Sequence, residues 1–598
     1  MQDSSSLYAW VWGSGIVVCL AVWLYGLNIQ NRWRLRSLPG PRWKWLVGQL
    51  KEAGTGRLHE HLLQWAQQYG PIFKFHFGRV PVVVVTNPEL AYQVCVKRFM
   101  NFHDRPPPIM QLYSGRHRSL QMSSMLFARG KLWAGLRAAG EPLFHTKPLH
   151  RYAPLMNSAA EGLVHVLEKS STPEQAPKAV NINQTLSNMT MEVLGTAALG
   201  VHLDAQSTEG EHGQGADLVW SGRQLFTVSN VKPILKLLLM AIPLLSGFWR
   251  QVIAWFKDPG MLDAAVARGY LWGASQALLD NARRKRPGFA GIKPTSTANG
   301  VAAAAADGGP GLAEPVHAAA TANAVIAELA NARKHPSGIG ANAQIWGLMQ
   351  GAFAKGEANY QGMVPQDTSI LYHLMNATNK ETGERLTDQQ ICSTCTLFIL
   401  AGYETTSTAL AYALYEISRN LDVEARILQE VDAFGRNKAP DYEDLARFPY
   451  LWAAFHESMR LWTVATPIIA MTRMCTQACT LAGHYIPKGT RVMVNTWGMQ
   501  RDPKLYPDPE EFRPERFLEG SKEAQSRHPY AYMPFGAGPH KCIGYKFAEE
   551  EAMLTLVRLY QHFTFTVAPE TGDLRASLLA AVTVYPKHGI FLRPHARV

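Results

Sequence analysis

Few stretches leave a backbone as little choice as YMPFGAGPHKCIGYKFA, Tyr532–Ala548. Gly536 and Gly538 permit torsions closed to other residues, and Pro539 stiffens the bend that leads to Cys542. A run with helical spacing, YKFAEEEAMLTLVRLYQHF, follows at once, so Cys542 is expected at the head of a helix. Unpaired amides and the helix dipole there favour a thiolate over a thiol. Gly544 leaves the first turn bare, with room for something flat against it. The stretch reads as a device for presenting one sulfur, rather than as a cysteine buried in a turn.

Four further patterns precede it. WAGLR carries Trp133 and Arg137, and AGYETTSTALAY runs from Ala401 to Tyr412 with Gly402, Glu404 and Thr405 in its first turns. ESMR sets Glu457 and Arg460 one helical turn apart, able to pair on one face. FRPERF supplies Arg516. Each has an ordinary reading: an exposed i,i+3 ion pair contributes under ~1 kcal/mol, and helical threonines commonly bond back to their own backbone. In this order, ending at the cysteine loop, the set resembles the cytochrome P-450 haem-thiolate monooxygenases. Phe535, Gly538, His540, Cys542 and Gly544 match that family's F-x-x-G-x-basic-x-C-x-G loop, although arginine is usual where His540 stands. The resemblance spans Pro39 to the C-terminus, apart from one low-complexity stretch.

The resemblance implies a mainly α fold: one helix-rich catalytic domain with a small β region, plus an N-terminal transmembrane helix. It implies haem b held between the Ala401 helix and the Cys542 loop, with Cys542 as the axial ligand of the iron. Trp133, Arg137, Arg473 and His540 are expected on the propionates, while Phe535, Gly536, Gly538 and Gly544 shape the loop. Ala401 and Gly402 would thin the helix where dioxygen fits. Thr405 would hydrogen-bond it and Glu404 would relay protons. Glu457, Arg460 and Arg516 would lock the support of the loop. The implied reaction inserts one oxygen atom into an apolar small molecule: a terpenoid, apocarotenoid, sterol or fatty acid. Electrons would come from a separate NADPH–cytochrome P-450 reductase docked on the basic face near Cys542, since no G-x-G-x-x-G loop or flavin domain is evident. YGPIFKFHFGRVPVVVVTNPELAYQVCVKRF with LFARGKLWAGLR is similar to the carlactone-oxidising and thromboxane-synthase branches. Pocket walls are expected from the loop before Trp133, Val231–Phe256, Val464–Ala470 and Leu578–Thr583. A haem-thiolate isomerase or dehydratase, needing neither dioxygen nor reductase, is the alternative. A non-catalytic haem sensor fits poorly with a complete proton-delivery set.

Leu7–Leu27 is about twenty uncharged, mostly apolar residues, enough to cross ~30 Å of hydrocarbon. Arg32, Arg34, Arg36, Arg42 and Lys44 follow it, which keeps the remainder cytosolic. We therefore expect an anchor at 1–30, a basic, proline-bearing linker at 31–45 and a catalytic domain at 46–598. The location implied is the endoplasmic reticulum membrane, in contact with membrane lipid, a chloroplast membrane being the second choice. Val231–Phe256 is apolar but broken by Lys232, Pro233, Lys236, Pro243 and Arg250, so it reads as a surface or core segment. Residues 287–365 are rich in alanine and glycine and read as a disordered or weakly helical insertion. Ile72–Gly78 and Pro81–Asn87 look like the strands of a hairpin.

Seven cysteines in 598 residues make no disulfide scaffold. A net charge of +12 suits an anionic membrane, an acidic partner or a nucleic acid equally. Cys392-x-x-Cys395 with Cys475 and Cys479 could form a zinc site in a nucleic-acid-binding protein. The apolar helix around Cys392 and the anchor oppose that, so no nucleic-acid partner is expected.

Overall fold

Helices dominate the chain, and the hairpin predicted near its start forms. The computed structural model describes residues 14–15, 29–44, 47–54, 56–107, 123–171, 177–206, 214–226, 259–285, 341–379, 383–580 and 582–597. Leu7–Leu27 (apart from Ser14 and Gly15) and Val231–Phe256, the expected anchor and wall segment, lie outside them. Among the described residues no helix is long and apolar enough to cross a membrane.

Strands Ile72–Phe77 and Val80–Val85 pair antiparallel, with Ile72 opposite Val85. The second strand continues parallel to Arg491–Val494, which pairs antiparallel with Thr472–Met474. The expected linker is knitted onto this sheet rather than standing off it. Leu35 and Leu38 are buried, and the Lys74 amide donates to the Pro39 carbonyl at 2.8 Å. Gly40 has φ +152°, and a Cβ there would sit 1.9 Å from the Lys74 carbonyl oxygen.

The organising element is the helix Asp388–Arg419, opened by a capping box between Thr387 and Gln390. It packs against Ile182–Leu199, Pro449–Leu461 and Tyr545–His562, and apolar residues of all four share one core. Cys392 and Cys395 are fully buried in it as core residues. No cluster of three or more metal-ligating His, Cys, Asp or Glu side chains occurs among the described residues.

The expected insertion 287–365 needs redrawing at its C-terminal end. Ala341–Asn359 is a helix laid along Pro259–Arg284. Their contact runs on glycine. A Cβ on Gly269 would meet the Met349 carbonyl oxygen at 2.4 Å, one on Gly273 that of Phe353 at 2.0 Å, and one on Gly356 that of Tyr270 at 2.3 Å. The composition that looked too poor in large side chains to pack is what lets two backbones touch. Partners rise together along both helices, 269 with 349 and 273 with 353, so the pair is parallel. Asn281 closes the far end by donating to the carbonyls of Tyr360 (2.8 Å) and Met363 (2.9 Å).

Candidate active site

The Cys542 loop is built by its backbone. The Gly536 amide bonds the Met533 carbonyl, Lys541 the Gly538 carbonyl, and Cys542 the Phe535 carbonyl at 2.8 Å. Gly536 and Gly538 adopt φ +73° and +68°. A Cβ at Gly538 would lie 2.0 Å from the Cys95 carbonyl oxygen, so both torsion and space require glycine there. Gly544 is different: its φ is −93°, and it caps the helix Tyr545–His562. A Cβ there would only touch Phe144, at 3.4 Å. Phe535 packs against the core, 6.1 Å from the Tyr545 ring.

The Cys542 side chain is exposed on one side, yet the protein around it pushes the thiol above its usual pKa. The Gly544 amide, Arg137, Arg105 and Lys541 offset only part of that. The helix start alone therefore does not hold a thiolate, contrary to the sequence expectation. A metal cation's own charge would supply the difference.

Guanidinium groups crowd the same place. Arg137, from the helix Gly130–Gly140, donates to the Lys541 carbonyl at 2.8 Å and clamps the loop. Arg473, on strand Thr472–Met474, donates through Nη1 to the Ala470 carbonyl at 3.0 Å and leaves Nη2 buried without a partner. Arg105 was not foreseen. It stands alone before a run of prolines, its Nε is buried without a partner, and burial with Arg473 beside it lowers its pKa to about 9. A charged side chain ahead of three prolines, a segment with few backbone choices, was the available signal.

His540 is held by neighbours distant in sequence. Its Nε2 donates to the His103 carbonyl at 2.5 Å, and its ring lies 4.1 Å from that of Trp133 and 5.5 Å from that of Phe99. Burial and the neighbouring Arg473 and Arg105 push its pKa down to about 2. The protein alone thus holds it as a neutral hydrogen-bonding and packing group, with Arg105 as a further charge beside it.

Behind the loop, Glu457 meets Arg460 twice at 2.7 Å and Arg516 at 3.2 Å, all three side chains within 1% of complete burial. Arg460 also donates to the carbonyls of Gln500, Pro509 and Glu511, and Arg516 to that of Asp508. The cluster is internal rather than a surface pair.

On the long helix, Ala401 is exposed and Thr405 half-buried. Gly402 opens no gap: a Cβ there would meet Leu194 at 2.6 Å, so its role is close packing with the helix Ile182–Leu199. The Thr405 hydroxyl donates to the Ala401 carbonyl at 2.5 Å. Glu404 accepts from the Thr583 hydroxyl at 2.6 Å. Burial raises the Glu404 carboxyl to about 7, with Thr583 and Arg223 pulling the other way.

A glycine-framed thiol beside buried guanidiniums with unused N–H groups fits a flat, dianionic, iron-bearing cofactor, the arrangement of haem-thiolate proteins. A sequence profile of the cytochrome P450 family matches residues 38–255 and 339–592, and the chain belongs to that family, whose members bind haem b. Curated relatives agree along nearly the whole length. The chain is 25% identical to dog cytochrome P450 3A12 (96% of this chain, 94% of the relative). It is 25% identical to golden hamster lithocholate 6-beta-hydroxylase (96% and 94%) and 26% to pig thromboxane-A synthase (97% and 95%).

Proposed function

We propose that this protein is a haem-thiolate monooxygenase that oxidises an apolar small molecule with dioxygen and electrons from NADPH, delivered by a separate membrane-bound reductase. The observation that carries the reading is the pair of unpartnered buried N–H groups on Arg105 and Arg473, whose guanidiniums act electrostatically on the Cys542 loop. Cys542 would ligate the iron, with Arg105, Arg137, Arg473 and Trp133 on the propionates. When bound, haem supplies dioxygen activation and electron storage. The chain supplies position and protons. Glu404, near half-protonation at neutral pH, can give up and regain a proton with little driving force. Thr405 reaches a ligand once its hydroxyl leaves the Ala401 carbonyl. Val464–Ala470 and Leu578–Thr583 wall the pocket on the Glu404 side. Leu7–Leu27 would anchor the enzyme in the endoplasmic reticulum membrane with the body cytosolic, and 286–340 would be the insertion proper.

The test uses Thr405→Ala and Glu404→Gln. NADPH consumption should continue while product falls ten- to a hundred-fold and peroxide accumulates. Coupled turnover unchanged in both variants would remove the proposed proton delivery.

A second reading is oxygen-independent isomerisation or dehydration. It is favoured by the Thr405 hydroxyl being turned back on its own helix and by a relative named as a synthase. Product formed under argon without NADPH would establish it in place of the first.

A further inference from the structure

Glu404 is held from outside its own helix. Thr583, 1% exposed, belongs to the turn joining strands Leu578–Ala580 and Val584–Pro586, a hairpin expected to wall the pocket. That turn cannot drift. The Val582 carbonyl accepts from the Thr466 amide at 3.3 Å and from the Thr466 hydroxyl at 3.1 Å. The Val584 amide donates to the Val464 carbonyl at 2.7 Å, and the Tyr412 hydroxyl to the Val584 carbonyl at 3.0 Å. Ala465 forms a bridge with Thr583 itself. Two pocket walls and the long helix therefore meet at one fixed hydroxyl, 2.6 Å from the Glu404 carboxyl.

We propose that Thr583 is a positioning residue for Glu404, fixing its carboxylate from the hairpin that also walls the pocket, so that substrate shape and proton supply are set by one hydrogen-bonded unit. The inference rests on the monooxygenase reading for the purpose of Glu404, but not for the contact. A hydroxyl that donates to a carboxyl favours its charged form, so losing the hydroxyl leaves the proton bound more tightly. The charged and titratable groups near Glu404 are Arg223 on Gln214–Phe226, which favours the charged form, and Tyr403 and Tyr412 on its own helix. None replaces a donor at hydrogen-bond distance.

The experiment is infrared titration of the protonated carboxyl band in the full-length, haem-loaded protein, with Glu404→Gln identifying the band. Thr583→Val should move the midpoint upward by about one pH unit, and Thr583→Ser should restore it. Thr583→Ala gives the same reading if the valine variant does not fold. An unmoved midpoint in the valine or alanine variant overturns the proposal, as does a band untouched by Glu404→Gln. A moved midpoint with an unchanged pH profile of product per NADPH upholds the contact and instead removes the proton role of Glu404.

Discussion

Glu457 and Glu404 are both helical glutamates near the same site, and they are treated in opposite ways. Glu457 is wholly buried between two arginines, with a further bond from the Arg513 amide. Glu404 is half-buried, with one hydroxyl at 2.6 Å and the charge of Arg223 acting on it. One arrangement fixes a charge so that a loop cannot move. The other leaves a proton nearly balanced between staying and leaving. Burial alone does not decide the fate of a carboxylate; the number and charge of its donors do.

The sharpest way to break the comparison is Glu457→Leu. It removes the buried carboxylate that Arg460 and Arg516 share, leaving Arg460 only carbonyl partners, and should cost about 3–5 kcal/mol by urea unfolding, with haem incorporation lost. A stable, haem-loaded Glu457→Leu protein would mean that the lock is dispensable.

Glu550 tests the opposite extreme, a carboxyl with no donor. It is 1% exposed, neither oxygen has a partner, and burial raises its pKa to about 8. A pKa raised on folding contributes stability that is complete below the unfolded value near 4.5 and is lost as pH rises through 8. Glu550→Gln should therefore leave stability unchanged at pH 4 and raise it by up to about 5 kcal/mol at pH 9. Denaturant midpoints at the two pH values decide it.

Glu404→Gln follows the same sign on a smaller scale. Its partial exposure should hold the gain at pH 8 to about 1 kcal/mol or less, against none at pH 4. Wild-type product per NADPH should fall as pH rises through about 7, and that slope should vanish in the variant. The smallest effect belongs to Glu515, which is 44% exposed and paired with Arg426 and with the Tyr450 hydroxyl. Glu515→Ala should change stability by less than ~1 kcal/mol, despite lying beside Arg516 in the same motif.

The sequence made this difference half visible. Spacing gave the Glu457–Arg460 pair because i,i+3 contact is local, and glycine placement gave the Cys542 loop because positive φ is a single-residue property. The hairpin at Ile72–Val85 was legible from its β-branched run. What escaped depends on contacts distant in sequence. Arg105 approaches Cys542 from more than four hundred residues away. Thr583 reaches Glu404 across 179 positions, and Gly402 meets Leu194. His540 occupies a basic position in the motif, but its charge state is set by burial and then by three arginines that no local window contains. Ala341–Asn359 was missed because glycine and alanine were read as an absence of packing, when here they are the packing surface.

That parallel helix pair also sets a tether length. Two of the three glycine partners are offset by 80 positions and the third by 86, so residue 341 lies beside the start of the first helix, which leaves at Arg284. The chain between them must return roughly 35 Å at 1.5 Å per residue. An extended strand of about ten residues is the minimum that can span it. A four- or five-residue splice in place of residues 286–340 would therefore pull the two helices out of register.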